Sequence, residues 1–281
     1  MVKVIATDLD GTLFYPKKRY RMICSKTKKF LQRFIDDGGK LVLVSGRNKA
    51  IEAKFRKKTG IDADLIGCNG SVIIEKSQVI KSTSFNKESL KKILFDIRRD
   101  YDPPMVLLMS KRRNLVYTRT DVSHMTNLAY FLWRISNGTY RDPFVRSDRV
   151  YYEELETGEV YKAMVLFGVT KKRIIQAREV TALLNKQYPD AEFSWINQMI
   201  EISPKGCTKK DGLEFYLDYN KIPRDNVVVV GDSGNDISMF DAWKEQSFCM
   251  EHGRPEVKAH AAHVIKNFYD LEDYLYPLEE K

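Results

Sequence analysis

The chain has 281 residues, of which 43% are hydrophobic and 30% are charged, a balance typical of a folded globular protein rather than a disordered one. No stretch approaches the roughly 18 apolar residues of a membrane helix, and the apolar run before Asp8 is too short for a signal peptide. The net charge is +9, which fits either a nucleic-acid-binding protein or an enzyme that attracts anionic substrates. The four cysteines are scattered without CxxC spacing, which predicts reduced thiols and a cytoplasmic protein.

Short apolar runs alternate with helical patterns in the first part of the chain. Residues 2–6 and 41–44 read as buried strands, and residues 26–37 between them carry apolar side chains at helical spacing. A helical stretch over residues 48–59 and a short strand at residues 65–66 follow. This alternation predicts parallel strands with helices on both faces of the sheet.

The middle of the chain has a different pattern. Strands at residues 105–109, 115–119, 162–167 and 192–196 alternate or form hairpins, and helical stretches follow Asn86, Asp121 and Lys171. This pattern predicts an α+β module with one sheet face covered by helices.

The parallel pattern then returns near the C-terminal end. The β-branched run at residues 227–230 lies between helical stretches over residues 208–219 and 236–244. We therefore predict an α/β fold: a Rossmann-like parallel sheet core formed by residues 1–81 and 197–281, interrupted by an inserted α+β domain at residues 82–196.

Polar segments follow three of the predicted core strands directly. The first strand runs into Asp8-Leu9-Asp10-Gly11-Thr12, the second into Ser45-Gly46-Arg47, and the late strand into Gly231-Asp232-Ser233-Gly234-Asn235-Asp236. In an open α/β sheet the carboxyl ends of the strands line one crevice, so these distant residues are expected to meet there. One DxD segment alone is as consistent with a solvated turn as with a site, but three such segments together predict a site.

The acidic residues of these segments predict a bound cation. Asp8, Asp10, Asp232 and Asp236 would repel one another unless a positive ion compensated them. Oxygen ligands without imidazoles or thiols favour a hard ion such as Mg²⁺.

Four segments together resemble the motifs of the haloacid dehalogenase (HAD) superfamily. They are the three strand-end segments and Lys209 within Gly206-Cys207-Thr208-Lys209. The long insert, together with Cys68-Asn69-Gly70, is similar to the Cof-type branch, whose inserted cap contains a β-sheet. The resemblance implies a Mg²⁺-dependent phosphatase that acts on a small phosphorylated metabolite through an aspartyl-phosphate, with the insert closing over the site and selecting the substrate.

The resemblance also implies roles for individual residues. Asp8 is expected to attack phosphorus and Asp10 to act as general acid and then general base. Asp8, Asp10 (through its backbone carbonyl) and Asp232 are the expected metal ligands, and Asp236 is expected to orient neighbouring groups or to pair with Lys209. The expected phosphate-binding residues are Ser45, Gly46, Lys209 and Asn235.

Other polar residues have simpler interpretations. Thr12 supports the first turn, with a hydrogen bond to Asp10 as one option, and Arg47 pairs with a nearby acid. Asn69 and Gly70 form a turn first and are candidate substrate contacts second. The four histidines show no ligand spacing and are predicted to be structural.

Two alternatives to the phosphatase remain at this stage. A sugar phosphomutase would use the same aspartyl-phosphate chemistry and pass the phosphoryl group to a sugar hydroxyl. A non-catalytic nucleic-acid-binding protein would use the basic clusters at residues 17–21 and 111–113, although both lie in predicted loops and no nucleic-acid-binding motif accompanies them. Sugar phosphates, nucleotides and phosphorylated cofactors are all candidate substrates of the phosphatase.

Overall fold

The computed structural model contains two compact units. The first comprises Met1–Lys81 and Thr208–Lys281, and the second comprises Ser82–Cys207. The structure describes residues 2–16, 22–136, 143–168, 170–196 and 199–276.

Strands and helices are numbered in chain order. The strands of the described residues are β1 Val4–Thr7, β2 Lys40–Val44, β3 Asp64–Gly67, β4 Val72–Glu75, β5 Gln78–Ser82, β6 Met105–Ser110, β7 Val116–Tyr117, β8 Val145–Arg146, β9 Val160–Leu166, β10 Ala191–Ile196, β11 Met199–Pro204, β12 Val227–Gly231, β13 Ser247–Met250 and β14 His263–Ile265. The α-helices are α1 Ser25–Asp36, α2 Ala50–Thr59, α3 Lys87–Tyr101, α4 His124–Ser136, α5 Asp148–Thr157, α6 Lys171–Gln187, α7 Lys209–Tyr219, α8 Ile237–Ala242, α9 Pro255–Lys258 and α10 Leu271–Leu275.

The first unit is built on one sheet, in which the described strands follow the order β14-β13-β12-β1-β2-β3-β4-β5. Strands β14 to β3 pair in parallel, and β4 pairs antiparallel with β3. The central strands β1 and β12 are entirely buried, as expected for parallel strands with both faces covered. The predicted α/β fold class is confirmed.

The register of the central strands aligns their carboxyl ends. Val4 and Thr7 of β1 pair with Val227 and Val230 of β12, and Thr7 also pairs with Leu43 of β2. The polar segments after β1, β2 and β12 therefore leave the sheet at the same edge.

The second unit has a sheet in which the described strands follow the order β10-β11-β9-β6-β7-β8. Neighbouring strands in this sheet pair antiparallel, except for β7 and β8, which pair in parallel. Val106, Val165 and Ile202 lie in the larger core of this unit, together with buried residues of α3 and α6.

Two features of the insert differ from the predictions. The second unit ends at Cys207 rather than at residue 196, because β11 pairs with both β9 and β10 and so belongs to this sheet. Helices do not cover only one sheet face, since Met105, Leu107 and Tyr117 form a second core with Tyr130 of α4. The phenol of Tyr117 also donates to Asn127 of α4, with 3.0 Å between oxygens.

The basic cluster at residues 111–113 of the insert lies close to acids. Lys111 contacts Glu159 at 2.8 Å, and Arg113 and Arg112 approach Glu154 and Glu153 at 3.8 and 4.0 Å. These acids reduce the local positive charge on which a nucleic-acid interface would depend. The other basic cluster, at residues 17–21, lies outside the described residues.

Candidate active site

Three carboxylates meet at the carboxyl edge of the parallel sheet. Asp8 follows β1, Asp232 follows β12, and Asp236 lies in the turn after Asp232. The backbone N–H of Asp8 donates to the carbonyl of Val230 at 2.9 Å, which ties the two strand ends together. One carboxylate oxygen from each aspartate lies within 4.8 Å of the others, so these residues form one cluster despite a separation of more than 200 positions.

Lys209 lies between two of these three carboxylates. Its Nζ donates to Oδ1 of Asp8 at 2.6 Å and to Oδ1 of Asp236 at 2.7 Å. Thr208 and Asp211 form a capping box that begins α7 at Lys209, which fixes the backbone from which the lysine projects. Lys209 is 1% exposed, so a buried cation neutralises part of the buried negative charge.

Asp236 holds the turn after β12 in place. Its Oδ2 accepts hydrogen bonds from the backbone N–H groups of Asp232 and Ser233, at 3.0 and 2.9 Å. Both of its oxygens are therefore bonded, one to Lys209 and the other to the turn. This geometry suits a residue that orients Asp232 and Lys209.

Burial dominates the electrostatics of the cluster. Burial raises the pKa of Asp8 well above its ordinary value of 3.8, and repulsion from Asp236 and Asp232 adds to it, while Lys209 partly offsets these effects. Burial also raises the pKa of Asp232. For Lys209 burial alone would lower the pKa, but attraction to Asp236 and Asp8 outweighs it and the pKa rises. The cluster therefore has more negative charge than its one lysine neutralises.

The first turn supports Asp232 rather than Asp10. The hydroxyl of Thr12 donates to Oδ1 of Asp232 at 2.9 Å, so the suggested bond from Thr12 to Asp10 is wrong. Gly11 has φ of +91°, and a Cβ added there would lie 2.4 Å from Oδ2 of Asp232. A left-handed glycine is therefore needed at this position for two reasons, the backbone angle and the closeness of the carboxylate.

Asp10 lies outside the buried cluster. Its side chain is 51% exposed and receives two hydrogen bonds from Arg47, from Nε and Nη2, each at 2.6 Å. This two-point ion pair connects the end of β1 to the turn after β2. Arg47 thus has the acid partner that the sequence suggested, and that acid is Asp10.

The predicted phosphate-binding residues lie in the turns around the cluster. Ser45 is 2% exposed, and its Oγ accepts from the N–H of Arg47 at 3.2 Å; Gly46 lies between these two residues. Asn235 is buried, and its Oδ1 accepts from the hydroxyl of Ser233 at 2.9 Å.

Asn69 and Gly70 form a buried turn after β3. The N–H of Asn69 donates to the carbonyl of Ser45 at 3.1 Å. A Cβ on Gly70 would lie 2.3 Å from the carbonyl of Thr208, so this glycine allows α7 to approach closely. The pair therefore has a packing role, and its substrate contact stays a prediction.

The sequence interpretation missed two aromatic residues at this site. His252 Nε2 lies 3.7 Å from Oδ2 of Asp232, and the ring of Tyr15 packs at a tilt against His252 with 4.1 Å between centroids. His252 was predicted to be structural because its spacing from other histidines carries no signal. His252 lies in the loop after β13, and β13 is the neighbour of β12 in the sheet. This neighbourhood brings His252 close to Asp232.

The donor set suits a hard divalent cation. Asp8 and Asp232 each use one oxygen in a described bond, to Lys209 and Thr12 respectively. Carboxylate oxygens with an excess of negative charge are the ligands that Mg²⁺ prefers. No third charged donor is required, because Mg²⁺ commonly retains several waters.

Comparison with known proteins agrees with this arrangement. Residues 5–270 match the family model of the haloacid dehalogenase-like hydrolases. The pyridoxal phosphate phosphatase YbhA of Escherichia coli is 24% identical over 265 residues, covering 94% of this chain and 93% of that protein. The 5-amino-6-(5-phospho-D-ribitylamino)uracil phosphatase YwtE of Bacillus subtilis is 23% identical, covering 95% of this chain and 93% of that protein.

Solved structures show the same fold. The protein SMU.1108c of Streptococcus mutans UA159 superimposes with a TM-score of 0.80 at 20% identity, covering 98% of this chain and 99% of that one. The chain therefore belongs to the haloacid dehalogenase-like hydrolases, with the sheet-containing insert of the Cof type. It is an enzyme, a phosphatase of this family. None of the described helices is both long and apolar enough to span a bilayer.

Proposed function

We propose that this chain is a Mg²⁺-dependent phosphatase that hydrolyses a small phosphorylated metabolite through an aspartyl-phosphate on Asp8. The observation that carries the proposal is the buried cluster in which Lys209 bonds Asp8 and Asp236, with Asp232 alongside. A carboxylate is a nucleophile suited to phosphoryl transfer, and the surrounding charges supply the positioning that this reaction requires.

The first step transfers the phosphoryl group to Asp8. An oxygen of Asp8 forms a bond to phosphorus while the ester P–O bond breaks, and the departing oxygen takes a proton from Asp10. In the second step water attacks phosphorus and gives a proton to Asp10, which frees Asp8 and releases inorganic phosphate. Both oxygens of Asp10 accept hydrogen bonds from Arg47, so the acid role requires Asp10 to leave Arg47, to take up a proton from solvent and to turn towards the leaving oxygen.

The remaining residues orient the phosphoryl group and the metal. Asp8, Asp232 and the backbone carbonyl of Asp10 would hold Mg²⁺, which would offset the charge of the phosphoryl oxygens. Lys209 would give these oxygens a positive charge, and Ser45, Gly46 and Asn235 would give neutral donors. Thr12 and Asp236 support Asp232 and Lys209 through the bonds described above.

The relatives support a proposal for the substrate class. Those named here act on pyridoxal phosphate and on 5-amino-6-(5-phospho-D-ribitylamino)uracil, and we propose a phosphorylated cofactor, sugar phosphate or nucleotide for this chain. Phosphate release from a panel of these compounds, with Mg²⁺ and with a chelator, tests the proposal. Release that requires the metal supports it. The absence of release from every compound, or release unchanged by the chelator, contradicts it.

Replacing Asp232 should separate metal binding from stability. Asp232→Asn is expected to abolish Mg²⁺-dependent phosphate release, yet to raise the melting temperature in chelator at pH 7, because it removes a carboxylate whose charged form is penalised by burial. Since the pKa of Asp232 is raised in the folded state, the destabilising contribution of Asp232 to the metal-free wild-type protein decreases as pH falls towards 3.8. The difference between the two proteins should therefore shrink on acidification. A variant less stable than wild type at pH 7 in chelator would show that burial does not penalise the charged form of Asp232.

The turn at Gly11 allows a matched test of metal positioning. Gly11→Ala and Gly38→Ala both place a side chain at positive φ, +91° and +87°, but only Gly11 lies against Asp232. Both variants should lose about 1–2 kcal/mol of unfolding free energy through the backbone angle, and Gly11→Ala should lose more because its Cβ also meets the Asp232 carboxylate. Gly11→Ala alone should also need about 10–100-fold more Mg²⁺ for half-maximal activity. Equal metal requirements in the two variants would show that the absence of a side chain at Gly11 does not matter for the position of the Asp232 carboxylate.

A further inference from the structure

An exposed pair of aromatic rings borders the carboxylate cluster of the first unit. The rings of Tyr15 and His252, the ring pair, have centroids 4.1 Å apart and planes inclined by 32°. His252 Nε2 lies 3.7 Å from Oδ2 of Asp232. The Tyr15 ring is thus separated from the carboxylates by a single imidazole.

The ring pair differs from its surroundings in exposure. Asp8 is 6% exposed and Lys209 1%, whereas Tyr15 is 37% exposed. Phe14, the preceding residue, stacks instead on the buried Phe55, with centroids 6.3 Å apart. Tyr15 therefore leaves a large aromatic surface towards solvent beside the reacting groups, and the packing of the first turn does not account for that surface.

The geometry of in-line attack limits where the leaving group can lie. In-line displacement requires the leaving oxygen to lie opposite the attacking oxygen. On the inner side of Asp8 the space is filled by Lys209 and Asp236, both buried. The leaving group therefore extends away from these two buried residues, and Asp232, beside which His252 lies, is the most exposed of the three clustered aspartates.

We propose that the ring pair selects phosphate monoesters whose leaving alcohol carries a planar heteroaromatic ring, with Tyr15 as the stacking surface and His252 as its support. This inference rests on the proposed phosphatase function and adds the substrate class. A flat π surface contacts a planar ring over its whole face, and such stacking is favourable for any heteroaromatic ring. An acyclic alcohol has no such face and gains little from Tyr15.

The test compares two esters in one set of variants. Pyridoxine 5′-phosphate supplies a heteroaromatic leaving group, and glycerol 3-phosphate supplies an acyclic one. Tyr15→Leu retains apolar volume but loses the flat ring, so kcat/KM for pyridoxine 5′-phosphate should fall about tenfold, the effect of one stacked ring. The fall should come from KM with kcat nearly unchanged, because stacking is present in both the bound substrate and the transition state. The value for glycerol 3-phosphate should change less than about twofold.

Two control variants exclude a general effect on the fold. Tyr15→Phe keeps the ring and should keep the preference for pyridoxine 5′-phosphate. Tyr219→Leu removes another exposed tyrosine of the first unit that stacks on a neighbour, Phe215, and should leave both esters unaffected. Tyr219 is ten residues after Lys209 along α7, about 15 Å from the site at the rise of a helix.

The outcomes separate this inference from the function on which it depends. An active wild-type enzyme that prefers glycerol 3-phosphate, or a Tyr15→Leu variant in which both esters fall equally, overturns the role of the ring pair alone. A larger loss on a hexose phosphate than on pyridoxine 5′-phosphate also overturns it, since the rings would then select sugars. An inactive wild-type enzyme overturns the phosphatase proposal and this inference together.

Discussion

Asp8→Asn is expected to lower kcat for phosphate release by at least about 10⁴-fold, the scale of losing a nucleophile. The amide has nearly the same shape as the carboxylate but lacks the negative oxygen that attacks phosphorus. The variant should remain folded, because Lys209 keeps its bond to Asp236 and burial already penalises the charge of Asp8. The measurement is steady-state phosphate release with Mg²⁺, alongside a thermal melt of each protein.

Asp62→Asn is the matched control for this change. Asp62 belongs to the same unit, its side chain is 85% exposed, and its nearest described basic partner is Arg56 at 3.8 Å. The Asp62→Asn enzyme should have the activity of wild type, because the same change from carboxylate to amide is made at an exposed position. Near-normal activity in Asp8→Asn would mean that another residue attacks phosphorus.

Lys209→Met is expected to have the largest effect on stability. The substitution leaves the carboxylates of Asp8 and Asp236 buried without their shared cation. Breaking a buried ion pair in this way costs about 3–5 kcal/mol. Urea unfolding in chelator measures this loss, and kcat should fall about 10²–10³-fold, as for the removal of one transition-state donor.

The neighbouring lysine supplies the control. Lys210 is 41% exposed in its side chain and lies 3.5 Å from Glu214, so Lys210→Met should change the unfolding free energy by less than about 0.5 kcal/mol. Equal unfolding midpoints for the two variants would show that Lys209 does not compensate buried charge.

The sequence predicted the parallel core because its strands are short and almost wholly apolar. Residues 41–44 and 227–230 were both placed in strands, and the structure has β2 and β12 there. The late strands β13 and β14 were not predicted, since they begin with the polar residues Ser247 and His263 and their apolar runs are very short. Periodicity identifies a strand only when the apolar run is long enough to stand out from its surroundings.

The insert was harder to predict for a physical reason. Although β11 forms a hairpin with β10, its connection to the rest of the sheet depends on β9, where Ala163 pairs with the distant Ile202, and no local pattern reveals that pairing. Helix α5 was missed because few of its residues are buried, mainly Tyr151 and Glu154. Its start is marked only by the Ser147 cap.

At the site, the rule that strand ends converge predicted that Asp8 and Asp232 would lie close together. It did not predict which partner each side chain would choose. Thr12 bonds Asp232 rather than Asp10, and Arg47 takes Asp10 away from the cluster. These hydrogen-bond partners depend on the direction and length of side chains from two or three different elements. Spacing along the chain does not define those directions.

Trapping the covalent intermediate tests the central claim most directly. Wild-type enzyme is quenched in acid during turnover with Mg²⁺ and a substrate identified in the panel, then reduced with borohydride and digested for mass spectrometry. Reduction of an aspartyl-phosphate marks the residue that carried it, and we expect that mark on Asp8 and its absence when Mg²⁺ is removed by a chelator. A mark on another residue, or rapid turnover with no mark on Asp8, would contradict the account.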